Sequence, residues 1–188
     1  MKGKAIIVSA PSGAGKTTIV RHLMGRGLGL AFSVSATTRP KRPGEEDGRD
    51  YWFLRESEFR RRIAAGDFLE WEEVYPGRFY GTLREEVRRI QAAGMHPVFD
   101  VDVEGALNLK REFGTDALAL FIAPPSIEDL ERRLRARGTE SEESLARRVG
   151  KAAHELTYAP RFDRTVVNDD LPAACAEAET LVRRFLER

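Results

Sequence analysis

The stretch SAPSGAGKTT, Ser9 to Thr18, decides how the rest of the chain is read. It departs from a Walker A motif, Gly-x-x-x-x-Gly-Lys-Ser/Thr, at one place: Ala10 stands where the first glycine belongs. The run before it, KAIIVSA, has the unbroken apolar pattern of a buried strand. KTTIVRHLMGRG, after it, has helical periodicity and ends near Gly25 or Gly27. A Gly-rich turn between strand and helix aims backbone N–H groups at one point, and the helix N-terminus adds to that field. This context favours a phosphate cradle over a merely structural turn. Gly13 and Gly15 fall where the backbone must curl around phosphate, Lys16 brings a mobile charge, and the Thr17 hydroxyl suits Mg²⁺. Ala10 lies at the strand exit, where a methyl group is tolerated if φ is negative.

The bulk properties narrow the class. The chain has 188 residues, 41% hydrophobic and 32% charged, which suits one soluble domain. Net charge is +1, so no global field draws nucleic acid or an anionic membrane, and an anion site must be built locally from the 31 basic residues. The single cysteine, Cys175, forms no internal disulfide and sits in an Ala-rich helical stretch as a packing residue. His22, His96 and His154 show no metal spacing. No apolar stretch nears the ~20 residues that span a bilayer, and the N-terminal apolar run is too short for a signal peptide. A cytoplasmic protein with no nucleic-acid, membrane or obligate protein partner is expected.

Strand and helix patterns alternate along the chain. FSVSATT reads as an alternating strand, 39–50 as a charged loop and YWFL as a short strand. Helices start at Ser57 and Thr82 as caps, and FLEWEEV and RFYGT form strands around Pro76-Gly77. HPVFDVDV and ALALFIA are buried strands. Ser126 with Asp129, and then the SEES run, open two helices; RTVVN is a last strand, and Pro172 suits the first turn of the last helix. The pattern predicts an α/β fold with a mainly parallel sheet. A strand-rich insert and a helical, Arg-rich insert interrupt it.

PVFDVD puts Asp100 and Asp102 at the end of a buried strand, where open parallel sheets bind ligands. Two apart on a strand, they share a face; one could hold Mg²⁺ through water and the other a substrate group. The alternative is a pair of helix-capping acids, plausible for Asp102. These elements point to a nucleoside triphosphate with Mg²⁺. No Asn-Lys-x-Asp tetrad for reading guanine in a GTPase occurs.

FSVSATTRPKRPGEEDGRDYWF, FLEW, YGT, FDVDVEG, FIAPPSIEDLERRLRARGTESEES and VVNDD, in this order, resemble guanylate kinase over nearly the whole chain. With Ala at the first loop position, SAPSGAGK is similar to the bacterial branch. The resemblance implies a P-loop NTPase fold with a core of about residues 1–34, 83–125 and 151–188, a GMP-binding insert of about 35–82 and a lid of about 126–150. It implies transfer of the γ-phosphoryl group of ATP to GMP, and to dGMP. ATP is then held by Ala10, Pro11, Ser12, Gly13, Ala14, Gly15, Lys16, Thr17 and Thr18, with Arg133, Arg137 and Asn168. GMP is held by Ser35, Arg39, Arg42, Tyr51, Glu70, Tyr80, Thr82, Asp100 and Asp102.

The chemistry supports those assignments. A carboxylate at Glu70 accepts from guanine N1–H and N2–H₂, and a hydroxyl at Ser35, with Thr82 beside it, donates to O6. AMP would leave those groups unpaired. Arg can grip phosphate bidentately, which suits Arg39 and Arg42, and the resemblance adds the Tyr51 and Tyr80 hydroxyls to that clamp on the GMP phosphate. The resemblance implies Lys16, Arg39, Arg42, Arg133, Arg137 and Arg148 as the catalytic cations, and Thr17 with Asp100 is the expected metal set. Arg133 and Arg137, four apart, lie on one helical face; Arg132 and Arg135 are solvated, and Glu72 and Glu73 are surface charge. Two rival readings are weaker. A scaffold-type binding module has no need of the P-loop lysine and lid arginines, and a ribose-phosphate kinase has no need of Ser35, Glu70 and Thr82 as a set.

Overall fold

A computed structural model describes residues 3–136 and 141–188 of the chain. Strand β1 (Ala5–Ser9) runs into the Gly-rich turn and helix α1 (Lys16–Met24). β2 (Leu30–Phe32), β3 (Ala36–Thr37) and β4 (Trp52–Phe53) follow, then α2 (Glu56–Ala64), β5 (Phe68–Tyr75), β6 (Arg78–Leu83) and α3 (Arg84–Ala92). β7 (His96–Asp100), α4 (Val103–Phe113), β8 (Ala117–Ala123), α5 (Ile127–Ala136), α6 (Glu142–Leu156), β9 (Arg164–Val167) and α7 (Leu171–Leu186) complete the described residues.

The apolar runs make a parallel five-stranded sheet in the order β2-β7-β1-β8-β9. Alternation sends β1 side chains to opposite faces. Ile6 and Val8 pack with Ile19 and Leu23 of α1 and with Ala178 and Val182 of α7; Ala5 and Ile7 pack with Val87, Leu109 and Phe113 on the other face. A sheet buried on both sides needs continuous apolar strands, and AIIVS and ALALFIA supply them. Cys175 is buried in the α1–α7 side of this core, as expected of a packing residue. The carboxyl ends of β1, β7 and β9 carry the Gly-rich turn, Asp100 and the segment leading to Asn168, so the sheet delivers all three to one edge.

A second sheet, in the order β4-β3-β6-β5, is mixed: β3 is parallel to β4 and antiparallel to β6, and β5 pairs antiparallel with β6. The expected single strand FSVSATT is divided between the two sheets. Ser33 N still donates to Val98 O in the large sheet at 2.9 Å, and three residues later Ala36 pairs with Gly81 in the small one. The small sheet has its own core, in which Phe59 of α2 stacks on Phe68 at 4.3 Å and lies 5.4 Å from Phe79.

Some expected caps moved. Thr82 stays within β6, and α3 starts at Arg84 after Leu83, without a side-chain cap. α2 starts at Glu56, so Ser57 lies inside it. Other caps form as read: Ser126 Oγ accepts from Asp129 N at 3.1 Å and Ser141 Oγ from Ser144 N at 3.2 Å. Pro172 lies in the first turn of α7 as expected, and Asp170, not foreseen, caps it by accepting from Ala173 N at 2.9 Å. Leu130 and Leu134 of α5 pack on Leu145 and Ala152 of α6, so the helical pair carries a small core of its own; the boundary expected near 150 falls inside α6. Among the described residues no helix is long and apolar enough to cross a membrane.

Phe59 is fully buried and its ring has aromatic neighbours on two strands. Phe59→Ala is expected to cost about 3–4 kcal/mol of stability in urea unfolding, because a large aromatic cavity collapses poorly. A loss below about 1 kcal/mol would show that the small sheet does not depend on this stack.

Candidate active site

The turn has the shape its sequence demands. Gly13 and Gly15 both take φ of +96°, and Gly15 is the N-cap of α1. A Cβ on Gly15 would come within 2.2 Å of Asn168 Nδ2, so this position needs glycine both for its φ and for space. Ala10 is buried, and no described residue other than glycine has positive φ, so its methyl group brings no strain. The loop lines a cavity of about 370 Å³, together with Asp102, Lys151 and Glu155. Ala14 does not face that cavity; its carbonyl accepts from Asn168 Nδ2 at 2.7 Å. Asn168 is itself buried, and its backbone N–H donates to Ala123 O at 2.8 Å, which fastens the turn to the end of β8.

A second cavity, of about 290 Å³, opens between the sheets. Ser35, Tyr51, Glu70, Tyr80, Asp100 and Asp102 line it, so six of the residues expected around GMP are brought together. Glu70 is 8% exposed and accepts from Thr82 Oγ1 at 2.6 Å. Burial pushes its carboxyl up from 4.5 to about 7, the nearby negative charges of Asp102 and Glu72 add to that, and the Thr82 hydrogen bond opposes it. Thr82 is fully buried and gives its hydroxyl proton to Glu70, so it acts on the carboxylate and not on a base in the cavity.

The expected phosphate clamp is held back. Arg39 is buried and forks onto Glu45 at 2.5 and 2.7 Å, with its guanidinium 4.9 Å from the Tyr51 ring centre. Glu45 raises the Arg39 pKa, and in return Arg39, helped by the Arg42 backbone N–H, holds the Glu45 carboxyl down at about 2. Arg42 is exposed, and neither arginine lines the cavity, whereas Tyr51 and Tyr80 meet edge to face at 6.0 Å within it.

From the helical pair, Arg148 Nη1 donates to Ser12 Oγ at 3.0 Å and Arg133 Nη2 to Asp169 O at 3.4 Å, both next to the P-loop. Arg137 lies outside the described residues. Arg132 and Arg135 are exposed, as expected; both pair with acids of α5, and Arg135 also pairs with Glu142 of α6.

Between the two cavities, Lys16 Nζ pairs with Asp100 Oδ1 at 2.6 Å and donates to Val101 O at 3.0 Å. The two acids have separated. β7 ends at Asp100, and Asp102 sits beyond it as the N-cap of α4, accepting from Gly105 N at 2.8 Å. Asp102 faces both cavities, while Asp100 faces only the one between the sheets, so Thr17 shares its cavity with Asp102 and not with Asp100. Among the described residues no group of three His, Cys, Asp or Glu side chains forms a metal cage.

The sequence reading missed three residues here. Glu72, taken as surface charge, is half-buried and lines the cavity; it lies two residues from Glu70 on one strand face, a spacing that carried the signal. Lys151 and Glu155 follow Arg148 at three and seven residues on α6, hence on its inward face. Glu73 remains exposed, as expected.

A P-loop on a parallel sheet, with a second nucleotide-sized cavity reached from the same lysine, defines a nucleoside monophosphate kinase. The guanylate kinase family model matches residues 2–185. A guanylate kinase of Bacteroides fragilis is 52% identical over 98% of this chain and 91% of its own length. One of Salinibacter ruber is 55% identical over 96% of each. The crystal structure of guanylate kinase from Anaplasma phagocytophilum matches 99% of this chain and 87% of its own, with a TM-score of 0.77 at 28% identity. The chain belongs to the guanylate kinase family, enzymes that phosphorylate GMP at the expense of ATP.

The Glu70 shift makes stability depend on pH. Its folded pKa of about 7 lies above its ordinary 4.5, so between these values the folded state binds the extra proton. Its contribution is therefore full below pH 4.5 and lost as pH rises through about 7. Glu70→Gln stays neutral throughout. Relative to the parent, it is expected to gain about 3 kcal/mol of stability between pH 4.5 and pH 8 in nucleotide-free urea melts. A difference between the two proteins that does not change with pH would contradict the buried, proton-holding carboxyl.

Proposed function

We propose that ATP lies on the P-loop and GMP in the cavity between the sheets, with the transferred phosphoryl group passing Lys16. The observation that carries this reading is Glu70: a buried carboxylate, oriented by Thr82, in the same cavity as Ser35. Two acceptor oxygens match the N1–H and N2–H₂ donors of guanine, and the Ser35 hydroxyl matches O6. Adenine offers a donor where guanine has O6 and lacks the 2-amino group, so AMP would strand both protein groups. Glu72, on the same strand face, adds to the negative side of the cavity that receives the guanine donors.

The acceptor is already a phosphate oxygen, so transfer needs no general base. It needs in-line placement, charge neutralisation and exclusion of water. Lys16 exchanges Asp100 for the nucleotide's phosphates. Arg39 is preassembled beside Tyr51, and the GMP phosphate competes with Glu45 for its fork; Arg42 and Tyr80 complete the clamp. Arg133 and Arg148 already stand at the P-loop, where they neutralise the β- and γ-phosphates, and Arg137 is assigned to the same group by its spacing from Arg133. Asn168 acts on ATP by holding the turn.

The donor set fits Mg²⁺. A small hard cation that keeps several waters and the substrate's phosphate oxygens needs few protein ligands, and Thr17 with Asp102 offers a hydroxyl and a carboxylate on one cavity. The metal supplies charge neutralisation on the transferred phosphates. Asp100, expected at first beside it, serves in this arrangement as the partner of Lys16. Production of GDP fits a role in purine nucleotide metabolism, and free nucleotide substrates suit a cytoplasmic setting.

Glu70→Gln keeps the shape but turns one acceptor into a donor. Its kcat/KM for GMP is expected to fall by about 2–3 kcal/mol, or roughly 30- to 150-fold, with the KM for ATP unchanged and AMP still poor. Steady-state kinetics with each nucleotide checks this. Wild-type GMP kinetics would remove Glu70 as the guanine reader.

A further inference from the structure

Three residues line both cavities: Lys16, Asp102 and Lys151. A group that moves from one cavity to the other must pass the residues they share. Lys16 is matched to Asp100 at 2.6 Å, and Asp102 is an N-cap, which leaves Lys151 as the other cation at this junction. It stands on α6, three residues after Arg148, whose hydrogen bond to Ser12 seats that helix face on the P-loop. Four residues further on the same face, the buried carboxylate of Glu155 lies 3.6 Å from Lys151 Nζ and lines the P-loop cavity. The Lys151 side chain is 59% exposed and lines both cavities, with Glu155 as its ion-pair partner.

We propose that Lys151 is a second catalytic lysine, one that contacts the phosphoryl group while it is shared between ATP and GMP, with Glu155 as its positioning residue. This rests on the assignment of the two cavities to ATP and GMP. A lysine suits this role because a point charge on a long stem follows a moving group, whereas a bidentate arginine grips a fixed one. No bond to Lys151 forms. It stays protonated and offsets the charge that spreads over the equatorial oxygens during transfer. The partner Glu155 keeps the ammonium near the junction when no nucleotide is bound, and the phosphates draw it inward when both are present.

The test compares Lys151→Met, Lys151→Arg and Glu155→Gln with the parent, by steady-state kinetics and by calorimetric titration with ATP, GMP and a bisubstrate analogue (adenosine and guanosine joined through a polyphosphate chain). Lys151→Met is expected to lower kcat about 100-fold, the effect of removing one preorganised group from a developing charge. KM values for ATP and GMP should stay within about twofold, and the analogue should lose far more affinity than either substrate, because only it spans the junction. Lys151→Arg, which keeps the charge but not the compact mobile ammonium, should recover only part of the rate, and Glu155→Gln should lower kcat several-fold without changing the affinity for GMP. Lys151→Met and Glu155→Gln both remove the same ion pair, so their thermal midpoints report that loss, while the large fall in kcat is expected of Lys151→Met alone. Parent-like kcat in Lys151→Met, or a raised KM with kcat intact, would overturn the proposal. If instead the analogue bound the parent and Lys16→Ala equally well, the two-cavity assignment itself would fall, and Lys151 with it.

Discussion

The site depends on an ion pair between neighbouring strands' ends. β1 and β7 are parallel and in register, with Val8 opposite Asp100 and Val101 N donating to Val8 O at 3.3 Å. β1 continues into the Gly-rich turn that carries Lys16, and β7 ends on the acid that Lys16 meets. Because the pair spans this seam, the P-loop cavity and the cavity between the sheets share a wall. A parallel sheet buried on both faces leaves little room to shift that register, so the spacing of the two cavities is set by the core. The interaction is also exchangeable. In the proposed arrangement Lys16 exchanges Asp100 for phosphate, which leaves the acid in the cavity assigned to GMP.

That coupling matches the other charged pairs. Arg39 is held by Glu45, Lys151 by Glu155, Arg148 by Ser12 and Lys16 by Asp100. Each of these cations is engaged by a protein group, and the proposed nucleotide assignment puts each near a phosphate. In the proposed arrangement ATP draws the P-loop cations and GMP draws Arg39, so the full set is recruited only with both substrates, which works against hydrolysis of ATP alone. Glu70 differs. Its partner Thr82 donates along one oxygen only, and its burial raises the cost of keeping it charged with no guanine present. In the proposed reading guanine's two donors offset that cost and adenine cannot, so Glu70 would give selectivity for the base by being poorly satisfied until the right base binds.

Much of this was legible locally. The P-loop could be read because strand, turn and helix are contiguous and each residue type has its own mechanical reason, Ala10 included. The apolar strands of the large sheet were equally plain. The failures were failures of distance. FSVSATT alternates like one strand, but it serves two sheets, since its pairing partners lie at Val98 and Gly81. Thr82 looked like a helix cap, and its proton goes instead to Glu70 across the β5–β6 pair. Asp100 and Asp102 looked like one unit because they alternate, and the strand ended between them. Lys151 and Glu155 resembled any solvated helical pair; only the docking of α6 onto the P-loop shows that their face points inward.

The most direct measurement is a crystal structure with an adenosine–guanosine bisubstrate analogue and Mg²⁺. The expected result has guanine N1–H and N2–H₂ on the Glu70 carboxylate, the Ser35 hydroxyl on O6, and Lys16 Nζ on the bridging phosphates with its contact to Asp100 lost. Guanine seated away from Glu70, with Lys16 still paired to Asp100, would contradict the exchange on which the site is built.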